Sequence, residues 1–187
     1  HKNINRQKQS SEILRKCAIS LAFMMQQNNI RATSKNEMLG FLVKSLSDHY
    51  EKDLLEKCLN ELIDPCNLLF FDRLTESYSF GHFRFQEHLA TLELKSNRGI
   101  DITELTKFDW WRGTLGLYAQ DTEFSHLFED IYNSQGNLFK AQETLEFMIN
   151  NAPKTKQNGL FYLFNKYKES DYLDDILIDS SDHYSSY

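Results

Sequence analysis

A mainly α fold in two parts is predicted by three observations. Glycine and proline are scarce, seven and two in 187 residues, which disfavours a turn-rich β architecture. Apolar residues recur at spacings of three and four through most of the chain, the period of an amphipathic helix. Between residues 68 and 82 that period gives way to an extended pattern. Three helices followed by a hairpin is the order of a winged-helix domain, with the small β-hairpin as its wing. The expected organisation is a polar segment over 1–9, a winged-helix domain over 10–97, an all-helical module over 98–168 and an acidic tail over 169–187.

The first helix is expected to start at Ser10 or Ser11, with Ile13, Leu14, Cys17, Ala18, Leu21, Ala22 and Met25 on one stripe, and to end near Asn28 and Asn29. A short extended piece, 30–33, leads to Ser34-Lys35-Asn36-Glu37. That spacing is a capping box, in which the serine bonds the glutamate amide and the glutamate reaches back. The second helix carries Met38, Leu39, Leu42, Val43 and Leu46. The third should begin at Ser47 or Asp48, bury Leu54, Leu55, Cys58, Leu59, Leu62 and Ile63, and stop at Pro65. Strands 68–72 and 78–82 flank a polar turn at 73–77, and helix returns from Phe83 to about Ser96.

Past Asn97-Arg98-Gly99 the helical candidates are 102–119, 123–132, 138–149 and 157–167, broken by Asn133-Ser134-Gln135-Gly136 and Asn151-Ala152-Pro153. No fixed repeat period connects them.

A hydrophobic fraction of 41% is enough to build a core. The net charge of −6 is matched by the end of the chain alone, where Glu169, Asp171, Asp174, Asp175, Asp179 and Asp182 meet no Lys or Arg. The three cysteines, Cys17, Cys58 and Cys66, form no CxxC pair and read as reduced core thiols. No run of about eighteen apolar residues and no signal-peptide pattern occurs, so a cytoplasmic protein without membrane contact is expected. The chain opens on His1 rather than Met, and a piece of a longer protein is expected.

Catalytic motifs are missing. No glycine precedes a lysine, which excludes the GxxxxGK[ST] phosphate loop, and neither HExxH nor GxSxG occurs. The chain is therefore not expected to be an enzyme, and no metal or catalytic residue is assigned; His49 and His126 have no partners in a metal-ligand spacing. Trp110, Trp111, Phe83 and Phe85 are assigned to core packing where the two modules join.

The most specific stretch is Tyr78-Ser79-Phe80-Gly81-His82-Phe83-Arg84-Phe85-Gln86-Glu87-His88-Leu89-Ala90-Thr91. It resembles the end of the winged-helix domain in NACHT-family proteins of the STAND class, whose pattern is F-x-H-x-x-F-Q-E-[YF]-[LF]-A-A. Phe80, His82, Phe85, Gln86, Glu87, Leu89 and Ala90 match in register, whereas His88 and Thr91 depart from it. The likeness spans about residues 10–120, including Asp109-Trp110-Trp111-Arg112.

The resemblance implies a regulatory segment of a signal-transduction NTPase that holds ADP in the resting state and relays sensing to oligomerisation, with antiphage defence as the suggested setting. His82 would be the nucleotide-sensing residue, an imidazole donor to the β-phosphate whose bond protonation would strengthen. Phe80, Phe85, Gln86 and Glu87 would support the motif, the last two in the first helical turn as capping and salt-link residues. This segment would carry no cofactor of its own, ADP or ATP belonging to the parent. Its partners would be the NACHT ATPase domain of the same protein, other proteins, or further copies of itself. Two other classes stay open, a winged-helix DNA-binding regulator and a helical protein-interaction adaptor. Against the first, Glu51, Asp53, Glu56, Glu61 and Asp64 outweigh Lys52 and Lys57 on the third helix, so DNA binding is not expected.

Overall fold

A computed structural model of the chain describes residues 8–182, and their side chains as far as Lys168. It is mainly helical with one small antiparallel sheet, and it divides into two compact units with the boundary between Asn97 and Arg98.

In the first unit, helix α1 (Ser11–Gln27) begins where the Ser10 side chain accepts the Ile13 amide. Helix α2 (Lys35–Leu46) begins where Ser34 accepts the Glu37 amide. Only that half of the expected capping box forms, because the Glu37 carboxylate instead accepts the Thr33 hydroxyl. Helix α3 (Lys52–Ile63) starts four or five residues later than the sequence predicts. The amides of Ser47 and Tyr50 close on the carbonyls of Val43 and Leu46, ending α2 in a turn, and Tyr50 packs against the core beneath the Lys16 ammonium. The three helices meet through Leu14, Cys17, Leu21, Met25, Met38, Leu42, Leu55, Leu59 and Leu62.

Strands β2 (Leu69–Asp72) and β3 (Ser77–Phe80) form the hairpin, with Leu69 opposite Phe80 and Phe71 opposite Tyr78. Its turn is set by Asp72, whose carboxylate accepts the Leu74 amide, and by Glu76 at a φ of 50°. The extended piece before α2 becomes β1 (Ala32–Thr33), which pairs with the other edge of β3 and makes β3 the central strand. Leu69 and Phe80 point into the helical core. Helix α4 (Phe83–Ser96) follows at once and packs along α1.

In the second unit the helix expected over 102–119 is broken. Asp101 caps the short α5 (Ile102–Leu105), the buried Thr106 returns its hydroxyl to the Thr103 carbonyl, and Phe108 is extended. A 3₁₀ turn (Asp109–Trp111) then leads into α6 (Arg112–Ala119). Helix α7 (His126–Gln135) runs through the expected break at Asn133 and ends only at Gly136, whose φ of 74° suits a residue without Cβ. Helix α8 (Gln142–Asn151) packs closely on α6, and Pro153 precedes α9 (Lys154–Asp182). The backbone from Glu169 to Asp182 thus continues a helix where an acidic tail is expected. The side chains of that tail, residues 183–187 and residues 1–7 of the polar N-terminal segment lie outside the described residues. Phe128 centres this core, its ring 6.1 Å from those of Phe124 and Phe164. No helix among the described residues is long and apolar enough to cross a membrane.

Candidate functional site

The matched stretch 80–91 crosses from β3 into α4, and its residues fall into different surroundings. Phe80 ends the strand in the core. Gly81 lets the chain bend beneath the Phe70 ring, since a Cβ there would lie 2.5 Å from Phe70 Cε2. His82 is exposed and leaves the strand. Rather than extending the β3 face shared by Tyr78 and Phe80, it is the N-cap of α4, at φ −133° and ψ 133°. Its Nδ1 accepts the Arg84 amide at 3.1 Å, and its carbonyl accepts the Phe85 amide at 2.8 Å.

That cap fixes the imidazole chemistry. An Nδ1 that accepts a hydrogen bond carries no proton, so the neutral ring holds its proton on Nε2. With Nδ1 engaged in the cap, Nε2 is the ring's remaining position for the donor role that the sequence reading gives this imidazole. Phe83, half-buried, lies under the Arg31 guanidinium at 4.2 Å.

Gln86 and Glu87 stand at the fourth and fifth positions of α4, past its first turn, and neither caps it. Both are buried, Gln86 at 1% exposure. The Gln86 amide donates to Gln26 Oε1 and to the Ile30 carbonyl, each at 3.0 Å, tying the start of α4 to the end of α1. Glu87 accepts from Arg84 Nη1 at 2.9 Å, a salt link across one turn. Thr91, at a position where the related pattern has alanine, buries its hydroxyl against the Glu87 carbonyl at 2.8 Å. His88 is exposed, so it takes no part in packing.

Phe85 does not pack in the core. The inward stripe of α4 is Gln86, Glu87, Ala90, Thr91 and Leu94, and Phe85 falls outside it with 57% of its surface exposed. Phe70 and Phe71 on the hairpin are about half exposed and Leu74 at its tip is 95% exposed, so an apolar surface borders the bend at Gly81. In the second unit Trp111 is buried, whereas Trp110 is half-buried. Arg112 beside them bridges Asp109 at 2.5 Å and Glu143 at 2.7 Å.

Cys17 and Cys58 are buried as expected, but Cys66 is exposed just beyond α3. Among the described residues no group of three or more His, Cys, Asp or Glu is arranged to hold a metal ion. Comparison with models of protein families, with curated proteins and with solved structures finds no match to this chain.

Proposed function

We propose that residues 10–97 form a winged-helix domain and that the chain is the regulatory segment of a NACHT-type signalling NTPase, in which His82 contacts the bound nucleotide. One observation carries this reading: His82 sits at the N-terminus of a 14-residue helix with Nδ1 engaged and its remaining donor, Nε2–H, on an exposed side chain. A helix N-terminus favours anions, and a neutral N–H is a competent donor to a phosphate oxygen. The element order, with β1 and the hairpin in one sheet, supports the winged-helix assignment. The apolar border of Phe70, Phe71, Leu74 and Phe85 suits a protein partner such as the ATPase domain, which would exclude water around the contact. ADP or ATP would be bound mainly by that domain.

The test uses the parent protein and two substitutions. His82→Asn keeps a capping side chain and shortens the reach, whereas His82→Ala removes both. Loss of a hydrogen bond to a charged group costs about 1.5–3 kcal/mol, roughly ten- to a hundredfold in occupancy of a two-state equilibrium. We expect both variants to lose co-purified ADP and gain basal activity, and only His82→Ala to lower the melting temperature. Unchanged ADP occupancy in both, with a lowered melting temperature in His82→Ala, would show that the residue is a helix cap alone.

A further inference from the structure

Glu61 is the third residue from the end of α3 with only 8% of its surface exposed, and among the described residues no cationic side chain pairs with it. Its partners are instead two consecutive backbone amides from more than fifty residues earlier. The Lys8 amide donates to Oε2 at 2.9 Å, and the Gln9 amide approaches both Oε1 and Oε2 at 3.1 Å. These amides belong to the stretch just ahead of Ser10, which caps α1. Lys8 and Gln9 form one wall of a groove whose other lining residues include Lys57, Asn60, Asp64 and Pro65.

A nearly buried carboxylate must find donors, and here the donors are main-chain groups whose positions do not depend on side-chain identity. The contact therefore fixes where the backbone runs before α1. From these contacts we infer that Glu61 is a conformational latch that straps the segment entering α1 onto α3, so that a pull on the chain ahead of Lys8 is transmitted to α3 as well as to α1. Opening the latch would leave α1 capped by Ser10 and the helical core closed, because neither Lys8 nor Gln9 contributes to that core. The latch is independent of any nucleotide contact at His82.

The experiment uses the 187-residue chain and Glu61→Gln, whose amide nitrogen turns a donor toward the two N–H groups. Brief tryptic digestion followed by mass spectrometry reads cleavage after Lys8 against cleavage after Lys16, which lies within α1. With the latch lost, cleavage after Lys8 should rise about tenfold while cleavage after Lys16 is unchanged. Equal rates after Lys8 in the two proteins would overturn the inference. Should Glu61→Gln unfold the unit and accelerate both cuts, amide exchange in the unaltered chain decides. Protection of the Lys8 and Gln9 amides beyond that of a free peptide supports the latch, and exchange at the free rate overturns it.

Discussion

The side chains of Gln26 on α1 and Gln86 on α4 meet at 3.0 Å inside the first unit, the Gln86 amide reaching at the same time to the Ile30 carbonyl. Sixty residues apart in sequence, they join the end of one helix to the start of another at the place that presents His82. Removing one partner of a buried pair leaves the other unsatisfied, at about 1–3 kcal/mol, whereas replacing both by apolar groups leaves fewer orphans. We expect Gln86→Leu to destabilise the chain by about that amount in urea. Adding Gln26→Leu should cost less than its effect alone, giving a non-additive cycle. Strict additivity would mean that the two amides are not coupled.

The thiols should separate by reactivity. Cys66 is exposed, and a disulfide reagent should titrate it in the folded chain, with Cys17 and Cys58 reacting only on unfolding. Burial, assisted by the neighbouring Cys58, pushes the Cys17 thiol from its ordinary 9.0 up to about 12. A thiol raised in the folded state contributes stability that is whole below 9.0 and is lost as pH climbs from there toward about 12. Melting temperatures measured across that range should fall less steeply in Cys17→Ala than in the unaltered chain.

On the acid side the second unit should respond in the opposite sense. The Thr103 hydroxyl, with the Thr103 and Glu104 amides, holds the Asp101 carboxyl below its ordinary 3.8. The Ser125 amide does the same for Glu123 below 4.5. Carboxyls lowered in the folded state stabilise it above those ordinary values and release that stability as pH falls below them and through the lowered values. Asp101→Ala removes a helix cap at a cost of about 0.5–2 kcal/mol near neutrality. The gap between variant and unaltered chain should close in acid, and a gap independent of pH would contradict the capping role.

Duplex DNA should not be retained at physiological salt. The stretch 51–64, which would be the reading helix of a DNA-binding winged helix, has a charge of −3, and the hairpin offers Phe70, Phe71 and Leu74 where a basic footprint is needed. A gel shift that weakens steeply with added salt would establish the transcription-factor reading instead.

Much of this architecture is legible in the residues. The hairpin and α4 follow from the change of period at Leu68 and its return at Phe83, because both signals are local. What sequence reading misses is decided by contacts that carry no sequence period, some between distant residues and some within a single turn. Two residues of β1 carry too little pattern to announce their pairing with Ser79 and Tyr78. The late start of α3 depends on Tyr50 reaching the core, and the break at Thr106 depends on a buried hydroxyl turning back on its own backbone. At the candidate site the motif locates His82, but its capping role could be read only from the turn itself. Gln86 and Glu87 read as first-turn capping and salt-link residues; the salt link of Glu87 to Arg84 forms, but the burial of both and the bond to Gln26 follow only from the packing of α4.

The cap on α4 also bears on the kind of ligand that the proposed role of His82 would allow. Coordination to a transition metal needs an unshared lone pair on an imidazole nitrogen. Here the Nδ1 pair is turned to the Arg84 amide and Nε2 bears hydrogen, so neither nitrogen is available while the turn stands. A zinc or nickel ion would have to displace a backbone amide, or the ring would have to shift its proton and surrender the cap. An oxygen acceptor meets no such obstacle. If His82 takes a ligand as proposed, the turn that stops the strand would thereby favour a Lewis base over a Lewis acid there.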